Sequence, residues 1–410
     1  MEAREWITVL DIGTSKIAAV AARVNDRAQL DVVSMAYAPS EGVAKGMVQD
    51  PEAASVVISG VIEKIERHLK RPIGSVWMNL SGPHLESHRG EAFAPIYPAA
   101  RTLRPQDVHQ VVVNSRKLIL PDEYEQVFAV PIEYVLDGKE GVKKPVGLAA
   151  SRIDVHTHIV VALTGEVEMA EEAVKLAGKK VLGVAPSSLA SGLGVLSPEG
   201  MDLGAVVVDI GAGKTDVAIF LDGSYVYQGV VPIGSDHVTS DIQHLLRTTF
   251  EEADMLKMEH GHCSPDATNH DIINVRQLDH DELRPMQRRV LAEIIQARMR
   301  EIFEHVGKSI AKSGLGLDVP KMAALTGGGS IIPGTEELFE KTLTHFKCRV
   351  AQPRVTGRFA EQVANPTMAT AVGLARYALD SDEFELAPVS GTSGWKDTIR
   401  LIISRFDGKG

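Results

Sequence analysis

Ile7–Lys16 reads ITVLDIGTSK, and Ile17–Val24 continues it as IAAVAARV. The Gly-Thr-Ser-Lys end has the residue types of a phosphate-binding loop, but a Walker loop has the pattern GxxxxGK[ST] and opens a helix. An apolar, β-branched run follows here instead, so the stretch reads as a tight turn between two strands, with Asp11 closing the first. Ala205–Leu221, AVVVDIGAGKTDVAIFL, repeats the arrangement: Asp209, Gly211 and Lys214 stand to Asp11, Gly13 and Lys16 at one common offset. An internal repeat of this kind predicts two halves built to one plan.

Two such hairpins facing each other suit a triphosphate gripped from both sides. Gly13, Gly211 and Gly213 permit tight turns whose backbone N–H groups converge on an anion. Thr14, Ser15 and Thr215 can donate hydroxyls, and Lys16 and Lys214 can neutralise phosphate charge. Asp11 and Asp209 would repel phosphate, but they suit Mg²⁺ held through water, because that ion keeps much of its hydration shell. A single copy of the motif fits a plain hairpin turn equally well; the second copy favours the clamp.

Lys321–Lys341, KMAALTGGGSIIPGTEELFEK, adds a short strand, the triplet Gly327, Gly328 and Gly329, and a helix expected from about Thr335. Three glycines let backbone approach a phosphate or a flat ring, although glycine-rich connections also occur with no ligand.

The bulk numbers bound the rest. A chain of 410 residues predicts at least two domains, and 44% hydrophobic residues suit globular cores. MEAREW at the N-terminus has no signal-peptide character, and no uncharged apolar run is long enough to span a bilayer. Two cysteines supply no disulfide framework and suit a reducing compartment. A net charge of −11 argues against nucleic acid as a partner. His260, His262, Cys263 and His270 lack the paired spacing of a closed zinc site, so the HGHC stretch reads as a polar loop.

The duplicated Asp hairpin and the glycine-rich loop resemble the actin, sugar-kinase and heat-shock-chaperone ATPase superfamily. DIGTSK at 11–16, NLSGPHLES at 79–87, VVVDIGAGKTDVAIF at 206–220, VPIGSDHVTSDI at 231–242 and LTGGGSIIPG at 325–334 are together similar to the FtsA family of bacterial cell-division actin homologues. The resemblance implies an α/β, actin-like ATPase fold: two duplicated α/β domains around an interdomain nucleotide cleft, each with an inserted subdomain. Residues 1–84 and 161–200 would form the first domain, with 85–160 inserted. Residues 201–236 and 303–379 would form the second, with 237–302 inserted. Within the first domain His158–Thr164, Val167–Ala177 and Val181–Val184 read as a βαβ unit. Phe250–Gly261 reads as a helix; alone its Glu252 and Lys257 look like a solvated charged face, but the superfamily resemblance implies contact with adenosine.

Asp380–Ser393 is acidic, then Pro-, Gly- and Ser-bearing, and reads as a flexible linker reaching roughly 20 Å. Beyond it, over 394–406, Trp395, Ile399, Ile402, Ile403 and Phe406 fall on one arc of a helix flanked by Lys396 and Arg405. An apolar arc with aromatic residues and basic edges suits the headgroup boundary of a bilayer and is too short to cross it. Docking on the protein's own body or on a partner is the other reading.

By resemblance the cofactors are ATP and Mg²⁺. The partners implied are the C-terminal peptide of FtsZ, docking around 237–302, other copies of the chain in a filament, membrane lipid, and later divisome membrane proteins. The place implied is the cytoplasmic face of the inner membrane at the division site. No residue pattern identifies a general base, so ATP hydrolysis is expected to be weak or absent. A PilM-like pilus adaptor would share the fold without needing the terminal helix, and a sugar-kinase-type enzyme would phosphorylate a small molecule.

Overall fold

In the computed structural model, residues 6–27, 29–98, 100–268, 271–278 and 283–381 are described. The helix expected over 394–406, with Trp395, Lys396, Ile399, Ile402, Ile403, Arg405 and Phe406, lies outside the described residues, as does nearly all of the linker before it.

The chain opens with an antiparallel meander, β1 (Ile7–Ile12), β2 (Lys16–Val24) and β3 (Leu30–Pro39). Helix α1 (Pro51–Leu69) starts where the Asp50 side chain accepts a hydrogen bond from the Ala53 N–H at 3.0 Å and Pro51 presets the first turn. Ala54, Ile58, Val61, Ile62 and Ile65 recur at helical spacing and are all buried, each large aliphatic side chain contributing roughly 1.5–3 kcal/mol of burial. The helix returns the chain to β4 (Ser75–Leu80), parallel to β1.

Next comes a separate module: β5 (Glu86–Pro95), α2 (Pro105–Ser115), β6 (Tyr124–Leu136), β7 (Lys139–Val142) and β8 (Arg152–Leu163). Its four strands form an antiparallel sheet in the order β7-β6-β8-β5. It has its own small core of Val108, Val111, Val112, Tyr134, Ile153 and neighbours. Helix α3 (Thr164–Leu176) leads to β9 (Lys180–Pro186), which completes the first large sheet in the order β9-β4-β1-β2-β3. The expected βαβ unit is thereby corrected. His158–Thr164 falls mostly in β8, whose partners are β5 and β6 of the module, and β9 lies parallel to β4 instead. The local pattern strand-helix-strand is right; sheet membership depends on remote partners.

Helix α4 (Ser187–Val195) then crosses to the second sheet, built from β10 (Ala205–Ile210), β11 (Thr215–Leu221) and β12 (Ser224–Val231). Three helices follow, α5 (Ser235–Leu246), α6 (Phe250–His260) and α7 (Arg288–Lys312). Strand β13 (Met322–Thr326), helix α8 (Thr335–Thr342) and β14 (Lys347–Val350) finish the sheet in the order β12-β11-β10-β13-β14. The two large sheets therefore share one topology: a three-stranded meander extended by two parallel strands. The last helix among the described residues, α9 (Ala369–Ser381), packs back on the first sheet.

Helices α4 and α9 lie against each other where the lobes meet. A Cβ at Gly373 would strike the Ala190 carbonyl, and one at Gly194 the Ala369 carbonyl, so backbone touches backbone. Ile17–Ala22 of β2 is buried throughout, as expected of a strand covered on both faces.

Candidate functional site

The two turns foreseen from the repeat have the same geometry. Gly13 N–H donates to the Lys16 carbonyl at 3.1 Å, and Gly211 N–H to the Lys214 carbonyl at 2.9 Å. Asp11 sits opposite Ala18 across the first hairpin, and Asp209 opposite Asp216 across the second. The turns face each other: a Cβ on Gly213 would meet the Thr14 hydroxyl at 2.8 Å. Between them lies a cavity of about 480 Å³.

Asp11, Gly13, Thr14, Ser15 and Lys16 line it from one lobe, and Asp209, Gly211, Gly213 and Lys214 from the other. Gly327, Gly328 and Gly329 line it at the end of β13, and Lys257 of α6 reaches it as well. The two aspartates thus share one cavity.

Two expected residues do not reach it. Thr215, fully buried, directs its hydroxyl to the Ile233 carbonyl at 2.8 Å. It begins β11, and successive strand residues point to opposite faces, so Lys214 and Asp216 face the cavity and Thr215 faces away. Glu252 sits five residues before Lys257 on α6, about 140° round the helix, and accepts instead from the Arg276 N–H at 3.4 Å. Asp254, three residues before Lys257, does share its face and pairs with it at 2.7 Å.

Electrostatics single out the carboxylates. Burial, reinforced by the nearby Asp209 and Asp216 and opposed by Lys16 and Lys214, pushes Asp11 up to about 7. Burial and Asp216 also raise Asp209. Burial lowers Lys16, whose ammonium donates to Thr367 Oγ1 at 2.8 Å. Lys214 is paired with Asp216. The lining holds five aspartates against three lysines. A bare polyphosphate would meet net repulsion, and a divalent cation between the carboxylates and the phosphates reverses the sign. Among the described residues no three His, Cys, Asp or Glu side chains converge as a metal cluster. A cation placed here would have Asp11 and Asp209, with water and phosphate oxygens completing its shell, which suits Mg²⁺.

Several polar residues in and behind the lining are not singled out as ligands by the sequence. Asn79 accepts from the Ile12 N–H at 2.7 Å and donates to Asp11 at 3.0 Å and Ser187 Oγ at 2.9 Å. Asp209 accepts from Ser191 of α4 and, at 3.1 Å, from Thr370 of α9. Each of these is one polar residue inside an apolar or small-residue run. The Asn365-Pro366-Thr367 start was more legible, since Asn before Pro caps a helical turn: the Asn365 side chain accepts from the Thr367 N–H at 2.9 Å.

The glycine triplet divides its work. Gly327 has φ of 80°, and a Cβ there would strike the Asp209 carboxylate. Gly328 is open: a Cβ there would have Thr367 Cγ2 as its nearest neighbour at 3.7 Å, so a side chain would project without a clash.

A family model described as cell division protein FtsA matches residues 206–373, and one for the SHS2 domain inserted in FtsA matches residues 82–161. The cell division protein FtsA of Borreliella burgdorferi is 31% identical over 93% of this chain and 92% of its own. That of Pseudomonas aeruginosa is 31% identical over 96% of this chain and 94% of its own.

The chain belongs to the FtsA family.

Solved structures agree on the fold. A chain of the PilM-PilN type IV pilus biogenesis complex superposes with a TM-score of 0.65 at 18% identity, covering 92% of this chain and 99% of its own. MreB5 of Spiroplasma citri bound to ADP gives 0.53 at 12%, covering 93% and 97%. Likeness at that identity speaks to architecture alone, so this FtsA-family chain shares the actin-like fold with PilM, while its sequence relatives are cell-division proteins. The SHS2 match falls on the antiparallel module of β5 to β8.

Proposed function

We propose that the protein is an ATP-binding, actin-like cell-division protein that polymerises on the cytoplasmic face of the inner membrane at the division site. There it would tether FtsZ filaments and recruit later divisome membrane proteins. The observation that carries the nucleotide part is the shared cavity, with two matched turns, two buried carboxylates and an open Gly328 around one space. In this reading the turn amides, Thr14, Ser15 and Lys16 bind the phosphates. Asp11 and Asp209 hold Mg²⁺ through water, and Lys257 with Asp254 meets the ribose or base. Mg²⁺ would supply charge neutralisation between the lobes, and the chain's own residues would bind and orient the nucleotide and so favour closure.

The membrane part rests on the tail sequence. A weak amphipathic anchor gains avidity when many copies assemble, which joins polymerisation to tethering. Membership of a family of cell-division proteins supports FtsZ as partner, through its C-terminal peptide on the region 237–302, and favours this reading over a pilus adaptor or a sugar kinase.

Equilibrium titration with Mg·ATP tests the core claim. Asp209→Ala and Gly328→Val are each expected to weaken binding at least tenfold, about 1.4 kcal/mol, with unchanged melting temperature. Wild-type affinity in both variants would overturn the reading.

A further inference from the structure

The antiparallel module is inserted in the first lobe, yet it also grips the second. Both Lys143 Nζ and Ser224 Oγ, the latter at the start of β12, reach the Ile132 carbonyl of β6, at 2.9 and 2.8 Å. The Phe128 ring of β6 packs edge-on against Tyr225 of β12 at 5.9 Å between centroids. The Tyr225 carbonyl is 3.1 Å from His158 Nδ1 on β8. A carbonyl only accepts, so Nδ1 carries the proton and Nε2 accepts from the Ser87 hydroxyl of β5 at 2.6 Å.

Tyr225 also faces α4. Its hydroxyl is 2.8 Å from Ser188 Oγ, which donates to Gln228 Oε1 at 3.1 Å. The preceding residue, Ser187, is bonded to Asn79 and through it to Asp11 in the cavity. All of these groups are buried. The Gln228 amide nitrogen has no hydrogen-bond partner. With its own proton given to Gln228, Ser188 accepts from the Tyr225 hydroxyl, so where α4 holds Ser188 sets both bonds.

We infer that α4 couples the cleft to the module: occupancy of the cavity, felt at Asn79 and Ser187, is passed by Ser188 to Tyr225 and so to the module docked on β12. The inference rests on the nucleotide reading above. It makes the module's seating, and any surface the module presents, dependent on what the cleft holds.

Amide hydrogen exchange on the full chain, with and without Mg·AMPPNP, tests it. In the wild type the nucleotide is expected to change protection at the two turns and also in β5 and β8 of the module. Tyr225→Phe keeps the ring packing, and Ser188→Ala removes the other hydroxyl; neither residue lines the cavity. Both are expected to bind AMPPNP with wild-type affinity, to keep the change at the turns and to lose it in the module. Should Tyr225→Phe fail to fold, Ser188→Ala decides. Variants that keep the module's response, or a wild type that responds at the turns alone, would overturn the coupling. A wild type that binds no AMPPNP in the accompanying titration would remove the nucleotide reading and the coupling with it.

Discussion

Lys214 and Thr215 are neighbours at the start of one strand, and pleating gives them opposite fates. Lys214 faces the cavity and its partner Asp216, while Thr215 is sealed under the Ile233 carbonyl. Thr215→Val is therefore expected to lower stability by about 1 kcal/mol in denaturant melts with no loss of nucleotide affinity. A fall in affinity matching that of Asp209→Ala would return Thr215 to the site. Glu252→Gln is likewise expected to leave binding intact, whereas Lys257→Met weakens it. A different residue sets an acid limit on the fold. His158 is fully buried, and burial lowers it to about 3 against an ordinary value of 6.5. The folded protein refuses a proton that the unfolded chain accepts. Its stability is whole above about pH 6.5 and falls as pH drops towards 3, by about 2 kcal/mol at pH 5. His158→Gln, which can still donate and accept, is expected to flatten the melting-temperature slope between pH 7 and 5. An unchanged slope would mean another group sets it.

Elements show how far the sequence could be read. Both hairpins were legible because their information is local: an apolar run, an Asp, a glycine turn and a Lys, stated twice. Helix α1 is local in the same way, being written in its Asp50 cap and in the spacing of Ile58, Val61, Ile62 and Ile65. The sheet membership of β8 was not legible, because ten residues of β8 pair with β5, 57 to 75 positions earlier in the chain, and strand pairing of that range leaves no mark in the strand itself. Helix α4, SSLASGLGV, was equally opaque, being buried on every side and so without a polar stripe. Its small residues are explained only by what it touches: serines where it meets the carboxylate network and the second lobe, Gly192 where it meets the Phe220 ring of β11, and Gly194 where it crosses α9. At that crossing Gly373→Val has no space, since even a methyl would overlap the Ala190 carbonyl. It is expected to destabilise the chain by about 3 kcal/mol or more, seen as a lower melting temperature. A variant that melts like wild type would show that the helices can part without cost.

At the scale of the molecule, two lobes of one topology meet along α4 and α9 and close on a cavity to which both contribute a carboxylate. Neither lobe lines the cavity alone, so on the proposed reading nucleotide binding and lobe closure would be one equilibrium. No described helix is long and apolar enough to cross a membrane. On the proposed reading, attachment to a bilayer would be made by the amphipathic sequence over 394–406, and the linker's roughly 20 Å reach would uncouple anchor from body. That separation makes a clean prediction. Removing residues 394–410 deletes Trp395, Ile399, Ile402, Ile403 and Phe406 together with the flanking Lys396 and Arg405. No residue of the cleft is touched. The truncated chain is expected to bind Mg·ATP with wild-type affinity and to lose flotation with vesicles containing anionic lipid. In the full chain, flotation should strengthen with protein concentration, because a short amphipathic helix with a small basic excess binds weakly alone and gains from assembly. Equal flotation of both chains would assign lipid contact to the body. Loss of nucleotide affinity on truncation would instead mean that the terminal segment docks on the lobes, the reading that its amphipathic pattern alone leaves open.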